Sequence, residues 1–255
     1  MTTISPQRYA RVAGLLYLVI IIAGVMGELM VRGTMVVPGD AAATAARIVA
    51  SPGLWRVGIA GDVLMHVCDV FVMWAIYMLM RAVSRPLALL VLLFNLVQTA
   101  VLVANKLILL VPLFLLGEPL YAAAFEPAQL QAWSQLAIGI HGYGFGVGLV
   151  FFGCVLLVEG HLVRRSGFLP PLVGAMLQLA GACYLANSAA LLLAPDLADW
   201  LFPAILVPCF VAELVFALWL LVKGVDVSAW TRRVAEQGAP APGAGPGPAA
   251  QPGRG

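Results

Sequence analysis

Apolar residues along this chain run in blocks too long and too unbroken to form one face of a soluble helix, and polar residues collect in the short gaps between them. One crossing of a bilayer's hydrocarbon core takes about 20 consecutive apolar residues. Six blocks reach that length: 12–31, 58–80, 87–116, 136–158, 172–194 and 201–222. The pattern predicts an all-α fold, a polytopic membrane bundle of six transmembrane helices built as one domain over 1–237. The third block is the longest and contains Pro112, which predicts a tilt, a kink or a turn toward its end. The first block follows Arg8 and Arg11, as the apolar part of a signal peptide would. It exceeds the usual signal length and no small-residue cleavage site follows, so it is read as a retained span.

The gaps between blocks predict orientation, because Lys and Arg favour the cytoplasmic side. Arg8 and Arg11 precede the first block, Arg81 and Arg85 lie between the second and third, and Arg164 and Arg165 lie between the fourth and fifth. Lys223, Arg232 and Arg233 follow the sixth. These gaps alternate, which predicts that both termini are cytoplasmic. The outer gaps carry Glu118, Glu126, Asp196 and Asp199, while the first outer connection, 32–57, dissents with Arg32, Arg47 and Arg56. That connection also holds Pro38-Gly39-Asp40 before an alanine-rich run, predicting a short helix over Ala41–Ala50 with Asp40 at its N-cap, lying over the outer mouth. The tail 238–255 is almost wholly Gly, Ala and Pro and is expected to be a disordered cytoplasmic extension.

Composition agrees with the pattern. The chain is 62% apolar and 10% charged, with a mean hydropathy of +1.00, against roughly half apolar and a quarter charged in soluble domains. A net charge of only +2 gives no electrostatic footprint for nucleic acid. Cys68, Cys154, Cys183 and Cys209 fall in four different apolar blocks without a CxxC pair, and read as small buried residues.

Ionisable residues inside the blocks change the picture further, since such groups at membrane depth are costly and by default mark a site. Asp62, His66 and Asp69 are spaced by four and then three residues, which keeps them within an arc of roughly 60° on one helix face. Counted from the outer boundaries, Glu28, Asp62, His66, Asp69, Asn105, Lys106, His141, Tyr143, Asn187 and Glu213 all fall in the outer half or near the middle. The inner half holds Asn95, Gln98 and Gln178, with Glu159 and His161 at the boundary. This bias predicts a polar cavity opening outward, with those ten residues as candidate ligand-binding groups. Lys106 and Glu213 lie at similar depth with opposite charge, so a buried pair between them is the simplest expectation.

A single buried amide is more simply a hydrogen bond between helices than a site. A charged set is harder to explain by stability alone, because apolar packing serves stability better. His66, His141, Asp62, Asp69 and Glu213 also offer a zinc-type donor set, although no compact ligand motif such as HExxH is present. No cofactor is predicted, with zinc as the alternative. The glycines of 142–148 resemble a nucleotide loop but lie in an apolar block with no strand before them. Gly142 with Gly146, and Gly144 with Gly148, instead form small-xxx-small pairs that permit close helix contact, including contact with a second copy.

Five segments carry a resemblance: VVPGDAAATA at 36–45, WRVGIAGDVLMHVCDV at 55–70, HGYGFGVGLVFFG at 141–153, RSGFLPPLVGAMLQLAGACYLANS at 165–188, and LFPAILVPCFVAELVFALWLLVKG at 201–224. They include polar positions that hydrophobicity alone would not select, namely Asp40, Asp62, His141, Gly167 with Pro170, and Glu213. The chain resembles the bacterial integral membrane family catalogued as domain of unknown function 4386. That resemblance implies a multi-pass protein of the bacterial cytoplasmic membrane and assigns no activity or catalytic residue. The functional expectation is a transporter-like, sensory or accessory protein whose partners are the bilayer and a small polar or lipid ligand. The alternatives are a metal-assisted intramembrane hydrolase and a structural subunit of a membrane complex.

Overall fold

The computed structural model describes residues 5–238, so all but the first residue of the glycine- and proline-rich tail lies outside the described residues. The helices are α1 (Pro6–Met35), α2 (Ala41–Ala50), α3 (Pro52–Met80), α4 (Arg85–Gly117), α5 (Pro119–Ala124), α6 (Pro127–Ser166), α7 (Pro171–Leu193), α8 (Pro195–Leu201), α9 (Ala204–Val222) and α10 (Val227–Gly238). Six of them, α1, α3, α4, α6, α7 and α9, are long and apolar enough to cross a membrane. Short-range chemistry sets their ends. Proline occupies the first turn of α1, α3, α4, α6 and α7, where its missing N–H costs nothing. The Ser5 side chain accepts from the Arg8 N–H and Asp40 from the Ala43 N–H. Glu126 and Gln129 cap α6 reciprocally, and Gly167 closes it with a left-handed φ of 75°.

Helices pack in chain order. α1 lies against α3, α3 against α4, α4 against α6, α6 against α7, α7 against α9, and α9 returns to α1. The six therefore close into a ring of antiparallel neighbours, as short connections between successive helices favour. One end of the ring, here the terminal end, carries Pro6, Val222 and α10; the opposite end carries α2. A large apolar cluster that includes Tyr17, Met73, Ile76, Leu79, Leu149, Leu156, Leu177, Phe216 and Leu220 fills the terminal half. A smaller one, Val31, Met35, Ile48, Trp55, Leu109 and Leu113, lies beneath α2. Large apolar side chains such as Leu15, Ile22, Leu64, Phe71, Leu93, Leu179 and Leu218 stay exposed around the outside. An apolar exterior around a packed interior suits lipid rather than water as solvent.

α1, α4 and α6 each depart from the sequence blocks in a way that bears on the polar residues. α1 runs on to Met35, and its stretch Met26–Arg32 is a π-helix, a widened geometry often found at functional sites. α4 tightens to a 3₁₀ turn over Leu107–Leu110 before Pro112, which has no N–H to give to this stretch. The Trp55 indole Nε1 donates to the Leu109 carbonyl there at 2.8 Å. α6 has 40 residues, about 60 Å at 1.5 Å per residue and so roughly twice the hydrocarbon thickness. Glu159, a boundary residue by sequence, is therefore followed by nearly two more helical turns and is fully buried.

α10 lies across the terminal end. The Asp226 N–H donates to the Phe168 carbonyl at 3.1 Å, Trp230 Nε1 to the Leu79 carbonyl at 3.2 Å and Arg233 Nη2 to the Arg165 carbonyl at 2.9 Å.

Candidate functional site

Beneath the small apolar cluster, four helices contribute to one charged group. Asp62 of α3 is 1% exposed and lies between two cations: its Oδ2 is 2.7 Å from Arg32 Nη1 and 3.1 Å from Lys106 Nζ. Its Oδ1 faces Arg32 Nη2 at 3.4 Å. Arg32 extends the network to Glu28 through Nε at 2.7 Å. Lys106 Nζ also lies 3.2 Å from His141 Nε2 on α6; an ammonium has only protons to give, so this contact suits the imidazole tautomer whose proton is on Nδ1. The Asn105 side chain donates to the His141 carbonyl at 2.8 Å, and Phe145 offers its ring face 5.9 Å from Lys106.

Local structure explains why these groups meet. The π-helical stretch holds both Glu28 and Arg32, and Gly27 within it leaves room for the Asp62 carboxylate, which a Cβ there would approach to 3.0 Å. Gly144 similarly makes space for the Asn105 amide. Two cations, Arg32 and Lys106, thus balance two carboxylates, Glu28 and Asp62. Buried charge is tolerable only when paired and hydrogen-bonded in this way. Two polar atoms in the group are left over: His66 Nε2, one turn from Asp62, and Asn105 Oδ1 are both buried without a hydrogen-bond partner.

The expected Lys106–Glu213 pair does not form. Their helices, α4 and α9, are not neighbours in the ring, and Lys106 pairs instead with Asp62 on adjoining α3. Glu213 receives the Tyr17 hydroxyl at 3.0 Å and the Tyr184 hydroxyl at 2.6 Å, one on each carboxylate oxygen. Asp69 also leaves the Asp62 group. It accepts from the Thr99 hydroxyl and, at 3.4 Å, from the Asn95 amide. Tyr143 points outward and is 47% exposed, while Asn187 is buried on α7 and makes no hydrogen bond to the Asp62 group. Among the described residues no three His, Cys, Asp or Glu side chains converge as a metal-binding group.

Four participants escape a sequence reading. Arg32 falls one residue beyond the first apolar block, though its i,i+4 spacing from Glu28 is a visible signal. Tyr17, Tyr184 and Thr99 belong to apolar runs and show their role only through the carboxylates they meet. A testable consequence concerns the two tyrosines. Tyr17→Phe and Tyr184→Phe are each expected to cost about 1 kcal/mol, the scale of a side-chain hydrogen bond within a membrane. The double variant is expected to cost more than their sum, since it leaves Glu213 with no donor. Unfolding of the detergent-purified chain in titrated SDS measures all three.

The glycine stripe of α6 is used within the chain: a Cβ at Gly144 or Gly148 would strike Asn105 or Leu102 of α4, and one at Gly146 would strike Leu191 of α7. Only Gly142 of the stripe faces open space.

Comparison with known proteins gives the family. A family model described as "Domain of unknown function (DUF4386)" matches residues 12–224, a stretch holding all six spanning helices apart from the first residues of α1. The chain belongs to this family. An uncharacterised protein of Archaeoglobus fulgidus is similar at 26% identity over 170 residues, covering 67% of this chain and 85% of that protein. No solved structure matches. The DUF4386 chain is thus a multi-pass membrane protein whose family carries no assigned activity, and its buried charges are the features that call for a functional account.

Proposed function

We propose that the Asp62 group is the binding site for a small polar or amphiphilic ligand that enters from outside the cytoplasmic membrane, in a transporter-like, sensory or accessory role. The observation that carries this is the pair of unpartnered buried atoms, His66 Nε2 and Asn105 Oδ1. An imidazole nitrogen and an amide oxygen left open beside satisfied ion pairs suit a ligand with polar groups of its own. In this reading α2 is the lid. It is tied down by the Thr44 hydroxyl, which accepts the Val37 N–H at 2.9 Å, and by Arg47, which donates to the Thr34 carbonyl at 2.7 Å.

Orientation is part of the proposal. Arg8, Arg11, Arg81, Arg85, Arg164, Arg165, Lys223 and Arg232 all belong to the terminal end, which supports a cytoplasmic position for that end. Withdrawing Arg32 into the charged group leaves only Arg47 and Arg56 as basic residues in the connection at the opposite end.

Cysteine labelling in intact cells tests both points. In a chain with the four native cysteines replaced by alanine, His66→Cys is expected to react with a membrane-impermeant maleimide added outside. Adding Arg47→Ala removes one lid hydrogen bond of about 1 kcal/mol and is expected to speed that reaction roughly fivefold. No labelling of His66→Cys with or without Arg47→Ala, or labelling only after the cells are opened, would sink the outward-access reading.

A further inference from the structure

Nearer the terminal end, the ring interior holds three carboxylates and no cation among the described residues. Asp69 comes from α3, Glu213 from α9 and Glu159 from α6. Glu159 lies within electrostatic reach of both others and of Tyr17, which belong to helices α1, α3 and α9 around the ring. Its side chain therefore points inward. The titratable groups within that reach are Tyr17 of α1, Asp69 of α3 and Glu213 of α9; Tyr184 of α7 is turned to Glu213, and the charged residues of α4 are Arg85 at its start and Lys106 well inside it. Arg32 and Lys106 are already engaged with Asp62 and Glu28.

The three acids are not equivalent. Glu213 has two tyrosine hydroxyls and Asp69 has the Thr99 hydroxyl and the Asn95 amide, so each is furnished with donors suited to a carboxylate. Glu159 is 0% exposed, and both of its oxygens lack any hydrogen-bond partner. The chain that follows it is apolar and buried: Leu162 and Val163 lie about one turn further along α6, and Phe168 and Leu169 just past its end. A naked carboxylate in such a place carries a desolvation cost of several kcal/mol. A metal ion would need several oxygen donors converging on it, and no such set forms among the described residues. A proton needs only one oxygen.

We propose that Glu159 is an exchangeable proton-binding site of the ring interior, holding a proton on its carboxyl group at neutral pH, with Asp69 and Glu213 as the neighbouring bases. This site is independent of the ligand reading at the α2 end, since no residue of the Asp62 group takes part. Binding forms one O–H bond on Glu159 and consumes one proton from water, with no other reactant.

Infrared spectroscopy of the full chain, in an ester-free maltoside detergent and sodium-free buffer at neutral pH, tests it. The wild type is expected to show a carboxylic-acid C=O band that shifts to lower frequency in D2O. Glu159→Gln, an isostere of the neutral acid, is expected to lose that band, whereas Asp69→Asn and Glu213→Gln retain it. Glu159→Asp keeps an acid at the position and is expected to move the band, which guards against a glutamine variant that fails to assemble. The assignment is overturned by a wild type without the band, by a band that survives Glu159→Gln, or by one unmoved in Glu159→Asp. A band unchanged in D2O would mark a sealed acid, and one abolished by sodium chloride would mark a cation site; either result overturns the proposal.

Discussion

Asp62→Ala is expected to destabilise the folded chain by about 3–5 kcal/mol, because it strands two buried cations at once. Arg32 and Lys106 keep only 13% and 4% of their side-chain surface exposed, so water cannot replace the missing carboxylate. Glu28 remains for Arg32, but it is 65% exposed and is worth little as a surface partner. Lys106 keeps only the His141 nitrogen and the Phe145 ring. Expression level and SDS-titrated unfolding of the purified chain give the measure. The loss should be largely undone by adding Arg32→Met and Lys106→Met to Asp62→Leu, since removing every buried charge also removes the desolvation cost. Strong non-additivity among the three positions is the signature of one network. Additive single effects, each below about 1 kcal/mol, would show that these side chains are not coupled in the folded protein.

Gly160→Val is expected to cost about 3 kcal/mol or more, at the upper end of overpacking effects, and to disturb assembly of α6 on α7. These helices meet at two reciprocal glycine contacts, Gly153 with Gly181 and Gly160 with Gly174. A Cβ at Gly160 would press on the Gly174 carbonyl and come within 2.9 Å of the Gln178 backbone nitrogen. A Cβ at Gly181 would lie 2.7 Å from the Gly153 carbonyl. The obstacles are backbone atoms, so no rotamer change relieves them, and the helices would have to separate. Without a hydrophobic driving force between helices in lipid, close packing of this kind carries much of the association energy. Gly142→Val is the control: nothing lies within 4 Å of a Cβ there, and its effect on SDS-titrated unfolding is expected to stay within a few tenths of a kcal/mol. Equal losses in the two variants would mean that helix propensity, not contact, explains both.

The glycines also show what was legible. The repeat at 142–148 is the denser one, but the closer backbone contact comes from glycines seven residues apart on each helix, Gly153 and Gly160 on α6 with Gly174 and Gly181 on α7. That spacing returns to nearly the same helix face after two turns and could be read from the sequence once two antiparallel neighbours are assumed. Arg32 was likewise visible as an i+4 partner of Glu28, yet a boundary drawn where the apolar run stops placed it in a loop. Glu159 differs for the opposite reason: α6 runs on past the apolar block to Ser166, so a residue at the edge of that block lies inside a long helix and is fully buried.

By itself the sequence determined that this is a six-helix membrane protein and, away from the ends of the apolar blocks, how deep an ionisable residue lies along its own helix. Lipid cannot satisfy backbone polar groups, so long apolar runs must be helices, and a fixed rise per residue turns position into depth. Only the tertiary structure decided partners. Depth leaves the angle around the ring undetermined, and closure of the ring in chain order set Lys106 beside Asp62, gave Glu213 to two tyrosines, and left Glu159 alone among carboxylates.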